Sequence, residues 1–188
     1  MGSDAVVVTG ASTGIGRACA LDLARRGLHV FAGVRAESDG AALEAAARGR
    51  LTPLFLDVTD EAQIYAAAKS VEAEVGPRGL RGVVNNAGVA LAAPLELVEL
   101  DELRHQLEVN VVGAVAVTQA FLPAIRRAVG RVVFVGMAAI HVIECAVFFP
   151  AIRRAGGSLG SHLAQVFAFG FLHLQAIGAF AKPGGPEA

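Results

Sequence analysis

The chain has 188 residues, of which 54% are hydrophobic and 18% charged, and its formal net charge is -1. This composition excludes a disordered chain, because disordered segments are poor in apolar residues and carry a large charge imbalance. The near-neutral balance also predicts no nucleic-acid partner, since proteins that bind nucleic acids carry an excess of positive charge.

Short apolar runs alternate with longer amphipathic stretches through the first 136 residues. The runs predict strands over 5–8, 28–33, 51–56, 80–84 and 131–135. The stretches between them predict helices over 15–26, 39–48, 61–75 and 96–127, and Asp60 is the expected N-cap of the third helix. The alternation predicts an α/β fold: a doubly wound, Rossmann-like parallel sheet with helices on both faces, incomplete or altered after the fifth strand.

A glycine-rich turn, Thr9-Gly10-Ala11-Ser12-Thr13-Gly14-Ile15-Gly16, follows the first predicted strand and opens the first helix. Gly10 can take a tight turn, Gly14 lets backbone N–H groups approach a pyrophosphate, and Gly16 permits close packing of the helix on the strand. The helix N-terminus adds the positive end of its dipole. The turn therefore predicts a dinucleotide-binding site. The alternative interpretation is that the glycines serve only to form the turn.

Further motifs in the same order make the chain resemble the short-chain dehydrogenase/reductase family across its first 136 residues. Asp57-Val58 ends the third strand, Asn85-Asn86-Ala87-Gly88 ends the fourth, and Asn110 lies inside the long fourth helix. The resemblance implies that Asp57 and Val58 contact adenine, that the Asn-Asn-Ala-Gly motif lines the cofactor cleft, and that Asn110 positions a water of the proton relay. The segments 31–35, 79–84, 121–123 and 130–133 are similar to the branch that handles retinol, hydroxysteroids and hydroxybutyrate.

The family resemblance implies an NAD(P)-dependent oxidoreductase acting on a small alcohol or ketone. Arg35 follows the second strand, where an acidic residue would hold the ribose 2′-hydroxyl and an Arg would accommodate a 2′-phosphate, so NADP is expected, with NAD or a merely exposed Arg as the alternative. Asn110 is the expected catalytic residue. The expected cofactor-binding residues are Gly10, Ser12, Gly14, Ile15, Gly16, Arg35, Asp57, Val58, Asn86, Ala87 and Gly88.

The family's remaining catalytic groups are missing from their expected places. In the family a Ser follows the fifth strand, but here that position is Met137, and a thioether cannot donate the hydrogen bond. No Tyr follows Tyr65, and the last Lys is Lys182. Tyr65 and Lys69 match a Tyr-x-x-x-Lys pattern, but they lie on the third helix and are interpreted as fortuitous. Hydride transfer is therefore expected to be impaired. The alternatives are a non-catalytic NAD(P)-binding module and a truncated or frameshifted gene product.

Residues 137–188 differ in composition from the rest, holding only 5 of the 33 charged residues and six of the ten Phe. We interpret residues 1–136 as the dinucleotide-binding region and residues 137–188 as an atypical apolar segment of the same domain. Three explanations of this composition stay open: an internal deletion before a sixth strand at 140–144, a frame shift near Met137, and a genuine variant of the sequence. A membrane helix over 163–181 is disfavoured, because Gln165, His173 and Gln175 interrupt it.

The remaining sequence signals concern location and assembly. Cys19 and Cys145 are too few for a disulfide framework and lack metal-site spacing, so no metal is expected. The first four residues show no secretory pattern, and a cytoplasmic location is expected. If the catalytic helix is lost, the long fourth helix is left partly uncovered at Val109, Val112, Val115, Phe121 and Leu122, which makes a homo-oligomer possible.

Overall fold

The computed structural model describes residues 4–90 and 97–136, together with 153, 154 and 158. The chain divides into two compact units, Met1–Gly136 and Met137–Ala188, and nearly all the described residues belong to the first. Met137, the predicted sixth strand at 140–144 and the apolar run at 163–181 lie outside the described residues. The interpretation of the C-terminal quarter therefore stays a prediction.

Five parallel strands form one sheet in the order β3-β2-β1-β4-β5. The strands are β1 Ala5–Val8, β2 His29–Val34, β3 Leu51–Phe55, β4 Gly82–Asn85 and β5 Arg131–Phe134. Every residue of β1 and β2 is buried, as expected for a sheet covered on both faces, and this is why these strands are apolar runs rather than alternating patterns. The predicted doubly wound parallel sheet is confirmed.

Helices cover both faces of the sheet. They are α1 Gly14–Arg25, α2 Glu37–Ala46, α3 Glu61–Val75, α4 Leu100–Leu107 and α5 Ala114–Arg127, with a 3-10 turn at Gly76–Arg78. On one face α3 and α5 pack with β1 and β4, burying Val71, Val117 and Phe121. On the other face α1 and α2 bury Ala20, Ala24 and Leu43. The predicted bounds of α3 are confirmed, and the Asp60 carboxylate accepts from the N–H of Gln63 at 3.0 Å.

The long fourth helix differs from its prediction. Instead of one helix over 96–127, the described segment begins at Leu100 and is interrupted by a π-helical turn, Glu108–Gly113, before α5. Apolar periodicity does not reveal such a turn, because the pattern continues with only a small change of phase. Strand and helix ends elsewhere shift by one or two residues, as in α2, which begins with Glu37 and Asp39 in its first turn, where carboxylates suit the helix dipole.

The segment Leu100–Arg127 is long and apolar enough to cross a membrane by length and composition, with a mean hydropathy of 1.5. Its buried side, however, packs against the sheet through Val117, Phe121 and Ile125, as a core helix of this fold does. Val112 and Val115 are exposed as predicted, whereas Val109 and Phe121 are buried. The homo-oligomer stays a prediction.

His29, the first residue of β2, is a buried titratable group with only 3% of its surface exposed. Its Nε2 lies 2.8 Å from Thr52 Oγ1, and its Nδ1 lies 3.6 Å from Glu74 Oε1. Burial lowers the pKa of His29 below its ordinary value, and the Arg50 guanidinium lowers it further, while the Glu74 carboxylate partly opposes both. Folding therefore favours the neutral form of His29.

Lowering the pH from about 7 to about 5 should reduce the free energy of unfolding. The unfolded chain takes up a proton on His29 at the ordinary histidine pKa of about 6.5, whereas the folded chain resists it until a lower pH. Chemical denaturation at several pH values measures the effect. His29→Gln should flatten the curve in this window, and an unchanged slope in that variant would contradict the assignment.

Candidate functional site

A cleft of about 370 Å³ opens at the carboxyl ends of the strands. Four loops line it, those that follow β1, β2, β3 and β4, and His105 and Val109 add a wall from the segment after residue 100. The strands β1 and β4 are neighbours in the sheet although they are not consecutive in the chain. The chain order reverses there, and such a switch point is where open α/β sheets bind ligands.

Ten of the eleven residues predicted to bind the cofactor line this cleft: Gly10, Ser12, Gly14, Ile15, Arg35, Asp57, Val58, Asn86, Ala87 and Gly88. Gly16 is the exception. A Cβ on Gly16 would lie 2.2 Å from the Gly10 carbonyl oxygen and 2.3 Å from Asn86 Nδ2. Gly16 therefore serves close packing beneath the cleft and does not line it.

Thr9 and Asn86 join the loop after β1 to the loop after β4. The Thr9 hydroxyl accepts from the backbone N–H groups of Asn86 and Ala87, both at 3.0 Å. In return Asn86 Nδ2 donates to the carbonyl oxygens of Thr9 at 3.1 Å and Gly10 at 3.0 Å. Thr9 is only 1% exposed, so little water can reach it to replace a hydrogen-bond partner that is lost.

The loop between β1 and α1 brings its backbone close to the cleft. Gly10 has a φ of 61°, and a Cβ there would lie 2.8 Å from the Cα of Ala87, so both the conformation and the space favour glycine. Thr13, the N-cap of α1, makes no capping hydrogen bond with its side chain, and the first turn holds no acidic residue. The positive end of the α1 dipole therefore faces the cleft without a carboxylate to neutralise it, which suits an anionic ligand.

Asp57 is held as a carboxylate at the end of β3. Its Oδ1 accepts from the Thr59 N–H at 2.9 Å and from the Thr59 hydroxyl at 2.8 Å. The backbone hydrogen bond from Thr59 lowers the pKa of Asp57 most, the Thr59 hydroxyl and the nearby Arg35 and His105 lower it further, and burial partly opposes them. The cleft therefore holds an ionised acceptor at this point.

Gln63 fixes the loop that carries Asp57, and the sequence interpretation missed it. Its Oε1 accepts from the Asp57 N–H at 2.9 Å, while its Nε2 donates to Asp60 Oδ2 at 2.9 Å. Gln63 stands three residues after the N-cap Asp60, the position of Glu or Gln in a capping box. That spacing is the signal that predicts the residue.

His105 is the second lining residue that the sequence interpretation missed. It is exposed on α4 and lies one helical turn before Val109, near the Asp57 carboxylate. Nothing in its local sequence marks it, because its place depends on how α4 packs beside the loop after β3.

Asn110 lies in the π-helical turn and holds the loop after β4. Its Nδ2 donates to the Val89 carbonyl oxygen at 2.8 Å, and its Oδ1 accepts from the Val89 N–H at 2.8 Å. Both ends of the amide are thus bonded to one residue of the loop, next to the cleft residue Gly88. This pair makes Asn110 a residue that positions the loop; the role in a proton relay stays a prediction.

The Tyr-x-x-x-Lys pattern lies on the outer side of α3. Tyr65 is 61% exposed, and Lys69 Nζ lies 4.7 Å from the centre of its ring. The inner side of α3 carries Ile64, Ala67 and Val71, which pack against the sheet. Neither Tyr65 nor Lys69 lines the cleft.

Comparison with known proteins gives a consistent result. The short chain dehydrogenase family profile matches residues 4–147. The chain is 38% identical over 129 residues to human dehydrogenase/reductase SDR family member 9, covering 68% of this chain and 40% of that protein. It is 41% identical over 133 residues to mouse retinol dehydrogenase 5, covering 70% and 42%. It is 40% identical over 129 residues to human 17-beta-hydroxysteroid dehydrogenase type 6, covering 68% and 41%.

The fold is likewise similar to solved structures. An alcohol dehydrogenase from Thermococcus sibiricus, solved as a complex with 5-hydroxy-NADP, matches with a TM-score of 0.62 and 30% identity, covering 69% of this chain and 56% of that one. The chain spans about two fifths of the length of the curated relatives it matches.

Thr9→Val should destabilise the first unit by about 2–4 kcal/mol, because it leaves the N–H groups of Asn86 and Ala87 without their acceptor. Thr9→Ser keeps the hydroxyl and is the matched control. Thermal and chemical unfolding measure the change. Equal stability of the valine and serine variants would show that the hydroxyl does not hold the two loops together.

Proposed function

Because this chain belongs to the short chain dehydrogenase family, we propose that its cleft binds NADP(H) and that it is an NAD(P)-dependent oxidoreductase of the retinol and hydroxysteroid branch, acting on a small alcohol or ketone. The observation that carries the proposal is the convergence of ten residues from four separate motifs on one cleft at the switch point of the sheet. NAD is the alternative cofactor.

The phosphate end of the cofactor is assigned to the loop after β1. Gly14 has a φ of 55° and open space around it, so backbone N–H groups at the start of α1 can approach a pyrophosphate without a side chain between them. Ser12 and Thr13 border the same part of the cleft and can donate hydroxyl hydrogen bonds. The dipole of α1 adds to the attraction for the two phosphate charges.

The adenosine end is assigned to the loops after β2 and β3. Arg35 is exposed at the cleft, where its guanidinium can form charge-assisted hydrogen bonds with a ribose 2′-phosphate. Asp57 offers carboxylate oxygens to an amino group such as that of adenine, and Val58 lines the same end. A relative by structure is known with 5-hydroxy-NADP, and this supports the choice of NADP.

The nicotinamide end is assigned to the loop after β4. Asn86, Ala87 and Gly88 line the cleft there, and Asn110 holds this loop through the backbone of Val89. A bound nicotinamide would supply or accept a hydride. The residues of this chain orient the cofactor for that exchange and hold the loop against which it rests.

Impaired hydride transfer is the second part of the proposal. Met137 stands where the family places a Ser, and the Tyr-x-x-x-Lys pattern at Tyr65 lies on the exposed side of α3. The described cleft supplies groups that bind and orient, and no tyrosine lines it. This favours a non-catalytic NADP(H)-binding module as the second candidate function.

Arg35→Gln should weaken NADPH binding by roughly tenfold to a hundredfold, because the 2′-phosphate loses a charge-assisted partner. NADH binding should change little, since NADH has no phosphate at that position. Titration of cofactor fluorescence measures both dissociation constants. Arg104→Gln, on α4 and paired with Asp101, is the control and should bind both cofactors as the unchanged chain does. Equal loss for NADPH and NADH would assign Arg35 a structural role.

Saturable NADPH binding without measurable turnover of an alcohol and ketone panel is the expected outcome for the unchanged chain. Stopped assays with purified protein measure turnover, and Tyr65→Phe should leave both binding and turnover as they are, because the hydroxyl lies outside the cleft. Turnover that disappears in Tyr65→Phe would assign catalysis to that residue. Absence of NADPH binding would reject the cofactor assignment itself.

A further inference from the structure

His105 contributes a ring to the wall of the cleft. It lies exposed on α4 and borders the cleft together with Val109, one helical turn later. Among the described residues that line the cleft, His105 is the one with an aromatic ring. The wall at this point therefore combines a planar ring with an aliphatic side chain.

The π-helical turn Glu108–Gly113 directs this wall toward the loop after β3. His105, Val109, Gly113 and Val117 follow one another at intervals of four residues. In a regular α-helix, with 3.6 residues per turn, each such interval rotates the side chain by about 40°, so the first and the last would lie about 120° apart. The wider π turn takes up one extra residue and brings all four nearly onto one side of the helix.

Close packing fixes this side of the helix on the loop after β3. A Cβ on Gly113 would lie 2.6 Å from the Val58 carbonyl oxygen and 3.0 Å from Val58 Cγ2, so the helix backbone touches Val58 directly. Asn110, in the same turn, bonds to both backbone groups of Val89 in the loop after β4. The π turn thus holds two lining loops, and His105 continues the same side of the helix along the cleft.

The helix dipole does not account for a histidine at this position. A cation is favourable near a helix C-terminus because the last carbonyl groups have no N–H partner. His105 lies in the last turn of α4, but the chain continues through the π-helical turn into α5 without a free helix end. Because the side chain is also exposed, packing of the core does not require it.

Asp57 and Arg35 place His105 at the adenosine end of the cleft. The pKa of Asp57 is lowered most by the backbone hydrogen bond from Thr59, and the nearby Arg35 and His105 lower it further. Both bonds from Thr59 fall on Asp57 Oδ1, at 2.9 Å and 2.8 Å. Asp57 Oδ2 is thus the oxygen that can accept from the amino group of a base, and His105 lies near the same carboxylate.

We propose that the His105 imidazole lies against the adenine ring of the bound cofactor, while Asp57 accepts from the amino group of that ring. Aromatic side chains, histidine among them, bind bases by stacking, and the contact tolerates any base because every base has a π face. His105 therefore supplies affinity for the base, and Asp57 supplies the preference for adenine. The inference rests on the proposed function, since it requires an adenine dinucleotide in the cleft.

Fluorescence titration of the full chain with NADPH and with NADH tests the proposal. His105→Ala should weaken binding of both cofactors by the same factor, about fivefold or more, because both carry adenine. His105→Phe keeps a ring and should retain most of the affinity. His105→Gln keeps hydrogen-bonding groups without a ring and should lose affinity as the alanine variant does. Thermal unfolding should be the same in all three variants, because the side chain is exposed.

A cofactor analogue separates contact with the base from positioning of Asp57. Reduced nicotinamide hypoxanthine dinucleotide phosphate has a carbonyl oxygen in place of the amino group, so the Asp57 carboxylate should disfavour it. Stacking tolerates either base, so His105→Ala should weaken NADPH and the analogue equally and leave the ratio of their dissociation constants unchanged. A ratio that falls toward one in His105→Ala would show that His105 acts by holding Asp57, and would overturn the contact with the base.

Arg104→Ala is the control on the same helix. Arg104 is exposed, pairs with Asp101 and does not line the cleft, so this variant should bind both cofactors as the unchanged chain does. Equal loss of affinity in Arg104→Ala and His105→Ala would assign the effect to α4 as a whole and reject the contact.

The titrations also separate failure of this inference from failure of the proposed function. Binding that is equally tight in His105→Ala and the unchanged chain would overturn the inference alone. So would a loss confined to NADPH, which would assign His105 to the 2′-phosphate beside Arg35, or affinity that is kept in His105→Gln and lost in His105→Phe. Absence of saturable NADPH binding by the unchanged chain would overturn the proposed function and this inference together.

Discussion

The hydrogen bonds of Thr9 and Asn86 hold the loop after β1 against the loop after β4, and both loops line the cleft. The Thr9 hydroxyl accepts from two N–H groups of the loop after β4, and the Asn86 side-chain amide donates to the carbonyl oxygens of Thr9 and Gly10. Four bonds in a buried place stabilise the pair by several kcal/mol when each contributes about 1 kcal/mol. Gly16 is part of the same constraint, because any side chain there would displace Asn86.

The sequence predicts well those features that depend on neighbours in the chain. The strands, α3 with its cap Asp60, and the glycine turn all follow from local residue types, and the parallel sheet follows from the alternation of strands and helices. The order of the strands, and with it the switch point between β1 and β4, comes from the structure. The π-helical turn at Glu108–Gly113 and the position of His105 depend on packing between distant segments, so local patterns do not reveal them. Gln63 lies between these cases, since its capping spacing is visible but its bond to Asp57 is not.

The positions of the charged residues also depend on the fold and are not visible in the net charge. A sum over the chain gives -1, which predicts no partner of opposite sign. Folding sorts the charges, because every β–α unit of a parallel sheet begins its helix at one edge and ends it at the other. Carboxylates favoured at helix starts then collect beside the cleft, and cations favoured at helix ends collect on the far side. The loops add further arginines, such as Arg81 and Arg131, to an asymmetry that the topology has already established.

Binding and chemistry depend on different stretches of this chain. The described residues that line the cleft lie between Gly10 and Val109. The hydrogen bonds that hold the lining loops join residues before β5: Thr9 to Asn86, Gln63 to Asp57 and Asn110 to Val89. The catalytic Ser and Tyr-x-x-x-Lys that the family resemblance implies belong after β5. Within the described residues, the contacts that shape this cleft are therefore separate from the positions at which the family resemblance implies the reacting groups, because the loops that form the cleft are held together by residues before β5.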